Sequence, residues 1–371
     1  MPSTRRAARL RMLHWTLIFS LAISITGYTQ RGGEYETGPY DVDTAWPLNV
    51  CGDGFQIGSV GGVWAQSQDR VFVYARGCLP TAKATGTILP ERNASGYSLS
   101  AEDPKMFPRW DHVLMVFDRN GKMVESWEQH NKLFVRPHRV VMNPYDAERN
   151  VWLIDDGAHS IYKFSNDGKK LLMTLGEFRV AGSDKTHFGR PTDIAWLPNG
   201  DFFVSDGYTN TRVVKFNKDG QYLLEWGKPG KGPSQFNTVH GIAIDNQERV
   251  YVGDRANSRV QIFDKNGKYL EEWNNLRFPY YIYMSKDQHL WVGDGYTNKI
   301  LKYDLNGKLL FHWGTFGSWP GGIWGPHQFS VDEANNFYIA DVHIGRIQKF
   351  KPKPGAKAEE LVGQRFEVPA K

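Results

Sequence analysis

Three histidines stand at the head of three similar apolar stretches: His138 in RPHRVVM, His240 in QFNTVHGIAID and His327 in GPHQFSVD. A neutral imidazole offers one lone pair to a metal. Three of them with an open fourth position form the ligand set of a catalytic zinc ion. Two arginines and a tyrosine occupy a second recurring place. Arg76 follows VFVYA, Arg255 follows VYVGD and Tyr208 follows FVSDG. Arginine reads carboxylates through a bidentate fork, and a tyrosine beside cations can take or give a proton. Together these six residues suit a small carboxylate that bears a hydroxyl or carbonyl oxygen. Taken singly, each has a plainer use. A histidine can cap a strand, a loop arginine usually makes a surface ion pair, and a loop tyrosine usually packs.

A repeat is what brings them together. VWLIDDGAHSIYKF (151–164), FFVSDGYTNTRVVKF (202–216), VYVGDRANSRVQIF (250–263), LWVGDGYTNKILKY (290–303) and FYIADVHIGRIQKF (337–350) read alike. A short apolar strand precedes each: HRVVMN, TDIAWL, HGIAID, YIYMS and HQFSVD. Most are followed by an Asn-Gly or Asp-Gly turn and a strand ending in Trp, as in DKNGKYLEEW and DLNGKLLFHW. A four-stranded antiparallel unit at a period of about 40–50 residues is a propeller blade. A sixth, degenerate unit starts at Val60 and carries an insertion from about Cys78 to Asp111 between its second and third strands. The fold class is therefore all-β, a six-bladed propeller over residues 56–352, and its repeats resemble NHL-type blades. The last blade lacks an outer strand of its own. Either Glu360–Val368 or the stretch around Tyr40–Val50 closes the ring, leaving no open edge.

The strands of a blade are lettered a to d from the axis outward. The first positions of the six a strands hold Gly61, His138, Thr192, His240, Tyr280 and His327. Histidine falls in every second blade, so three imidazoles about 120° apart converge on the axis. Strands a and b are antiparallel, which puts the end of b on the same face as the start of a. That end holds Arg76, Asp156, Gly207, Arg255, Gly295 and Val342, with Tyr208 and Tyr296 next along in the third and fifth blades. Both GYTN motifs supply a tyrosine there, and Tyr296 shows that the motif can recur without chemistry.

Arg5, Arg6, Arg9 and Arg11 precede the apolar run Leu13–Ile25, and small and polar residues follow. This is the pattern of a cleaved export signal over residues 1–29. Those four are the segment's only formal charges, so its removal lowers the net charge from +5 to +1. A near-neutral chain without basic runs argues against nucleic acid. No later segment is long and apolar enough to span a bilayer. The expected chain is secreted or periplasmic and monomeric, with a lead-in over 30–55 and a tail or closing strand over 353–371. Two cysteines exclude a disulfide-dense scaffold, but Cys51 and Cys78 flank the first two strands of the first blade on one face and can pair. Asn93-Ala94-Ser95 is a glycosylation sequon, which matters in a eukaryotic host.

Residues 56–350 resemble the peptidyl-α-hydroxyglycine α-amidating lyase family. The likeness is carried by RPHRVVM, HFGRPTDIAW, FVSDGYTNTRVVKF, QFNTVHGIAID, VYVGDRANSRVQIF and GPHQFSVD. The resemblance implies a catalytic zinc on His138, His240 and His327, a catalytic Tyr208, and two substrate-binding arginines, Arg76 and Arg255. It implies cleavage of an N-substituted α-hydroxyglycine, such as a peptide C-terminus, to an amide and glyoxylate. It further implies a structural calcium ion on the axis, with backbone ligands at Val60 and Val140. The carboxylate ligand expected after the third histidine is Gln328 here, a neutral amide and a poorer calcium ligand. No copper monooxygenase domain stands ahead of the repeats in this sequence, so another N-substituted hydroxyglycine is also an expected substrate. Two rival readings are a non-catalytic NHL propeller that binds a partner and a metal-dependent, lactonase-like hydrolase. A binder has no reason to place histidine in alternate blades, and the acidic ligands of calcium-dependent propeller hydrolases are not found at these positions.

Overall fold

The inner strands of this chain are buried without interruption, whereas the outer ones carry exposed positions. VWLID, FFVSD, VYVGD, LWVGD and FYIAD are buried along their whole length. YLLEW, at the rim of the third blade, alternates between half-buried and exposed. An inner strand is covered on both faces by neighbouring blades, while an outer strand has a wet face. The computed structural model, which describes residues 36–80 and 110–370, realises that pattern as six four-stranded antiparallel sheets. The expected export signal and the Asn93 sequon lie outside the described residues.

The blades follow the chain. The first is Val60–Ser67, Arg70–Ala75, Leu114–Phe117 and Met123–Ser126. The a strands of the next five are Pro137–Met142, Pro191–Trp196, Val239–Ile244, Pro279–Met284 and Pro326–Val331. Of the two candidates for the closing strand, the N-terminal one is used. Tyr40–Asp43, within the lead-in, runs antiparallel to Arg346–Pro352 as the outer strand of the sixth blade. Residues 353–370 form no strand; they cross the far ends of the a strands, where Arg365 bonds to Ser330 Oγ and to the Ala65 carbonyl.

Two repeated residues lock blade to blade and loop to strand. The tryptophan that ends strand d lies against the turn glycine of the next blade: Trp127 on Gly168, Trp226 on Gly267, Trp273 on Gly307. Those glycines have φ near +70° to +82° and a Cβ on them would strike the indole, so both conformation and space demand glycine. The aspartate that ends strand b points back under the loop entering strand a. Asp155, Asp206, Asp254, Asp294 and Asp341 accept the backbone N–H of Val135, Gly189, Asn237, Arg277 and Trp324. Each donor lies three residues ahead of the first a-strand position, so the carboxylates fix where the a strands begin.

The first blade has Ala75 where the others have that aspartate. Here Cys51 and Cys78 form a disulfide, with Cα atoms 5.7 Å apart. Beside it Phe55–Ile57 pairs with Cys78–Pro80, and the Arg76 N–H bonds to the Ser59 carbonyl. The covalent link thus holds the loop that carries Arg76. Closing a loop of this length stabilises a fold by about 3 kcal/mol in the chain-entropy view. Thiol titration of the denatured, unreduced protein should find no free thiol. The Cys51→Ser, Cys78→Ser double variant should unfold at a correspondingly lower denaturant concentration. Two reactive thiols in the wild-type chain would refute the link.

Candidate active site

The six first positions of the a strands act as a closed set. His138 Nδ1 lies 2.7 Å from the Thr192 carbonyl, His240 Nδ1 2.5 Å from that of Tyr280, and His327 Nδ1 2.6 Å from that of Gly61. Each histidine donates to the residue at its own repeat position in the next blade. A carbonyl only accepts, so Nδ1 carries the hydrogen and Nε2 keeps its lone pair. The three rings sit with centroids 4.5–5.0 Å apart, and one nitrogen from each lies within 4.8 Å of the others.

All three imidazoles are buried and are held well below the usual histidine range. Burial is the main cause. Next come the neighbouring His327 at His138, Arg255 at His240 and Arg139 at His327. The rings are therefore neutral, the state a metal ligand requires. The Tyr208 hydroxyl lies 3.1 Å from His138 Nε2 and 2.9 Å from His240 Nε2. One hydroxyl hydrogen cannot serve both, still less three convergent lone pairs. This donor set fits a zinc ion.

Tyr208 points inward because its blade has a small residue at the first position. In the third blade that residue is Thr192. In the fifth it is Tyr280, whose ring lies so close over Gly295 that a Cβ there would sit 1.7 Å from it. Tyr296, in the same GYTN motif, is turned out and 74% exposed. Gly207 is needed for a similar reason, since a Cβ on it would meet the Val239 carbonyl.

The two expected arginines flank this tyrosine. Arg255 Nη1 is 3.5 Å from the Tyr208 hydroxyl, and its guanidinium lies over the rings of Tyr208, Tyr280 and Phe278. Arg76 is buried and donates from Nε to the Pro137 carbonyl at 3.3 Å. Burial, and then the charge of Arg136, push its guanidinium down to about 9. A bound anion would relieve that cost.

Three further residues complete the mouth. Arg136 and Arg190 both bond to Asp156 Oδ2 at 2.6 Å, and both guanidiniums lie over the Tyr208 ring, at 5.4 and 4.6 Å. His343 Nε2 is 3.2 Å from the Tyr280 hydroxyl. The two arginines had a signal in the sequence: Arg-Pro precedes the first a-strand position in both RPHRVVM and RPTDIAW.

The residues expected to hold calcium are arranged otherwise. Gln328 Nε2 donates to the Val140 carbonyl at 2.8 Å, while its Oε1 accepts from the Val63 N–H at 3.2 Å. Val60 lies at the start of the strand, paired with Ala75. Gln328 brings no negative charge and turns its amide N–H, not an oxygen, toward the Val140 carbonyl, so this arrangement lacks the carboxylate that a calcium ion would need.

Metal analysis of the purified chain should find one zinc, and replacing His138, His240 or His327 by Ala should remove most of it. Full zinc retention by the triple variant would exclude this site. The pH dependence has a definite sign. Unfolded histidines take up protons below about pH 6.5 and the buried ones do not. Metal-free protein should be fully stable above that pH and lose roughly 1.4 kcal/mol per pH unit per imidazole below it. Denaturant midpoints measured between pH 7 and 5 would test this.

Comparison with known proteins agrees with this fold and these motifs. A family model described as a 6-bladed beta-propeller matches residues 180–283. Peptidyl-glycine alpha-amidating monooxygenase B of Xenopus laevis is 29% identical over 222 residues, 58% of this chain and 23% of that protein. Peptidyl-alpha-hydroxyglycine alpha-amidating lyase 1 of Drosophila melanogaster is 33% identical over 210 residues, 56% of this chain and 34% of that protein. The chain thus spans about a quarter to a third of the length of these relatives. A gluconolactonase from Xanthomonas campestris superposes with a TM-score of 0.55 at 13% identity, over 86% of this chain and 92% of its own, a likeness of fold alone. In its relatives, its repeats and its six blades, the chain is similar to the peptidyl-α-hydroxyglycine α-amidating lyases.

Proposed function

We propose that the chain is an exported, zinc-dependent lyase that cleaves N-substituted α-hydroxyglycines, peptidyl ones included, to an amide and glyoxylate. The observation that carries this reading is the Tyr208 hydroxyl, set between two of three neutral, convergent imidazoles and beside Arg255. The disulfide supports an oxidising compartment, since such bonds persist outside the reducing cytosol. No helix among the described residues is long and apolar enough to cross a membrane.

Arg76 and Arg255 hold the substrate carboxylate, which is why the mouth carries an excess of guanidinium over carboxylate. A zinc ion on the three Nε2 atoms would supply Lewis-acid charge beside the substrate's hydroxyl. Tyr208 takes the hydroxyl proton. The C–O bond becomes C=O as the C–N bond breaks, and the electron pair leaves with the amide nitrogen. That nitrogen then takes a proton, which the Tyr208 hydroxyl is placed to return. Overall one proton moves from oxygen to nitrogen and no redox partner is needed. Arg136 and Arg190, joined through Asp156, hold the Tyr208 ring from its face.

Zinc-loaded protein should release glyoxylate from an N-acyl-α-hydroxyglycine. Tyr208→Phe should keep its zinc and lose on the order of 10²–10⁴ in kcat, the range for a general base. Arg255→Ala should raise KM and also lower kcat, because the carboxylate both anchors and orients the substrate. Tyr296→Phe should change little. Absence of glyoxylate from the zinc-loaded wild type would end the lyase reading. Unimpaired turnover in Tyr208→Phe would leave the metal site standing and remove only the assigned base.

A further inference from the structure

Directly below the histidine ring, the second positions of the a strands form another layer: Gly62, Arg139, Asp193, Gly241, Tyr281 and Gln328. Arg139 is fully buried on the axis. Its Nη1 donates to the His327 carbonyl, and its Nη2 to the carbonyls of Tyr280 at 3.0 Å and His240 at 3.4 Å. Its Nε is 3.6 Å from Asp193 Oδ1, and its guanidinium lies 4.7 Å over the Tyr281 ring. One side chain from the second blade therefore engages the third, fourth, fifth and sixth. Gln328 joins the remaining pair, the first and second blades, through the Val63 N–H and the Val140 carbonyl. Gly62 leaves room for the longest reach of Gln328. A Cβ on Gly62 would sit 2.7 Å from Gln328 Oε1.

Backbone carbonyls converging on one positive charge, with one carboxylate to balance it, are what a structural divalent cation gathers around itself. Here the charge is covalently attached. We propose that the Arg139 guanidinium is the resident cation of the propeller axis. With Asp193 and Gln328 it takes the place of a bound divalent ion and positions the metal-binding histidines from beneath. Two of its three carbonyl partners belong to His240 and His327 themselves. The third, Tyr280, also accepts the His240 Nδ1 hydrogen. Arg139 is thus a positioning residue, one bond removed from the imidazoles and touching no substrate. Its effect on zinc rests on the metal reading above; the calcium comparison does not.

Elemental analysis and thermal unfolding of the full chain test both halves. Wild-type protein passed through gel filtration after exposure to calcium should retain none, and millimolar calcium should leave its Tm unmoved. A retained equivalent, or a Tm that rises with calcium, would overturn the proposal. Arg139→Met should weaken zinc binding by roughly 10–100-fold in competition with a chromophoric chelator, the range for a group that orients a ligand. Unchanged zinc affinity would overturn the positioning role. If Arg139→Met does not fold, Arg139→Lys, which keeps the charge and loses the planar fork, is judged by the same chelator measurement. The double variant Arg139→Ala, Gln328→Asp should acquire a Tm that depends on calcium; a calcium-indifferent Tm counts against the assigned place. A wild-type chain that takes up no zinc would sink the metal reading of the active site and leave the calcium result to judge this one.

Discussion

The molecule depends on a carboxylate that is expensive to bury. In five of six blades an aspartate ends strand b with almost no exposure, and at Asp155 and Asp341 burial pushes its pKa up to about 6. Such a group persists only when it is hydrogen-bonded. Asp155 satisfies that demand by accepting from Val135, Arg136 and Ala158. Those donors belong to the two loops that bracket the histidine-lined mouth. The cost of burial therefore forces the loops into one geometry, and the histidine three residues further on inherits it. The first blade, without the aspartate and without a histidine to place, uses a disulfide for the same purpose.

Charge at the mouth is organised around a ring. Arg136, Arg190 and Arg255 each present a guanidinium to the face of Tyr208, where the π system carries partial negative charge. Asp156 neutralises part of this by tying Arg136 to Arg190. Arg76 and Arg255 remain directed at the site. The same positive surroundings have two effects. They would favour an anionic ligand, and they help keep protons off the imidazoles, so an anion and a metal ion would draw on one field rather than compete for it.

The blades and the histidine ring were legible in the sequence because both follow from periodicity. A two-residue period marks the outer strands, and a residue type returning in alternate repeats marks the ring. Other features depend on contacts between repeats, which periodicity does not encode. The closing strand, Tyr40–Asp43, is four residues with no repeat signature; its place is set by the open edge of Arg346–Pro352. The inward turn of Tyr208 and the outward turn of Tyr296 cannot be read from two identical GYTN motifs, because Thr192 and Tyr280, on other strands, decide them. Gln328 was visible as a departure from an acidic ligand. Its counterpart, Arg139, carries no repeat signal, and its meaning emerges only when partners from four other blades meet on the axis.

Among the described residues, that filled axis closes off the far end of the propeller from the histidine ring. The chamber at that end, about 680 Å³ and lined by Trp64, Trp196, Tyr283 and Phe366, ends on Asp193 and Tyr281 and does not continue to the histidines. A polymer cannot be threaded through a cul-de-sac. A ligand in the far chamber is kept from the imidazoles by the layer of Arg139, Asp193 and Tyr281. Exclusion of threading is thus a property of the architecture, established before any side chain has read a sequence.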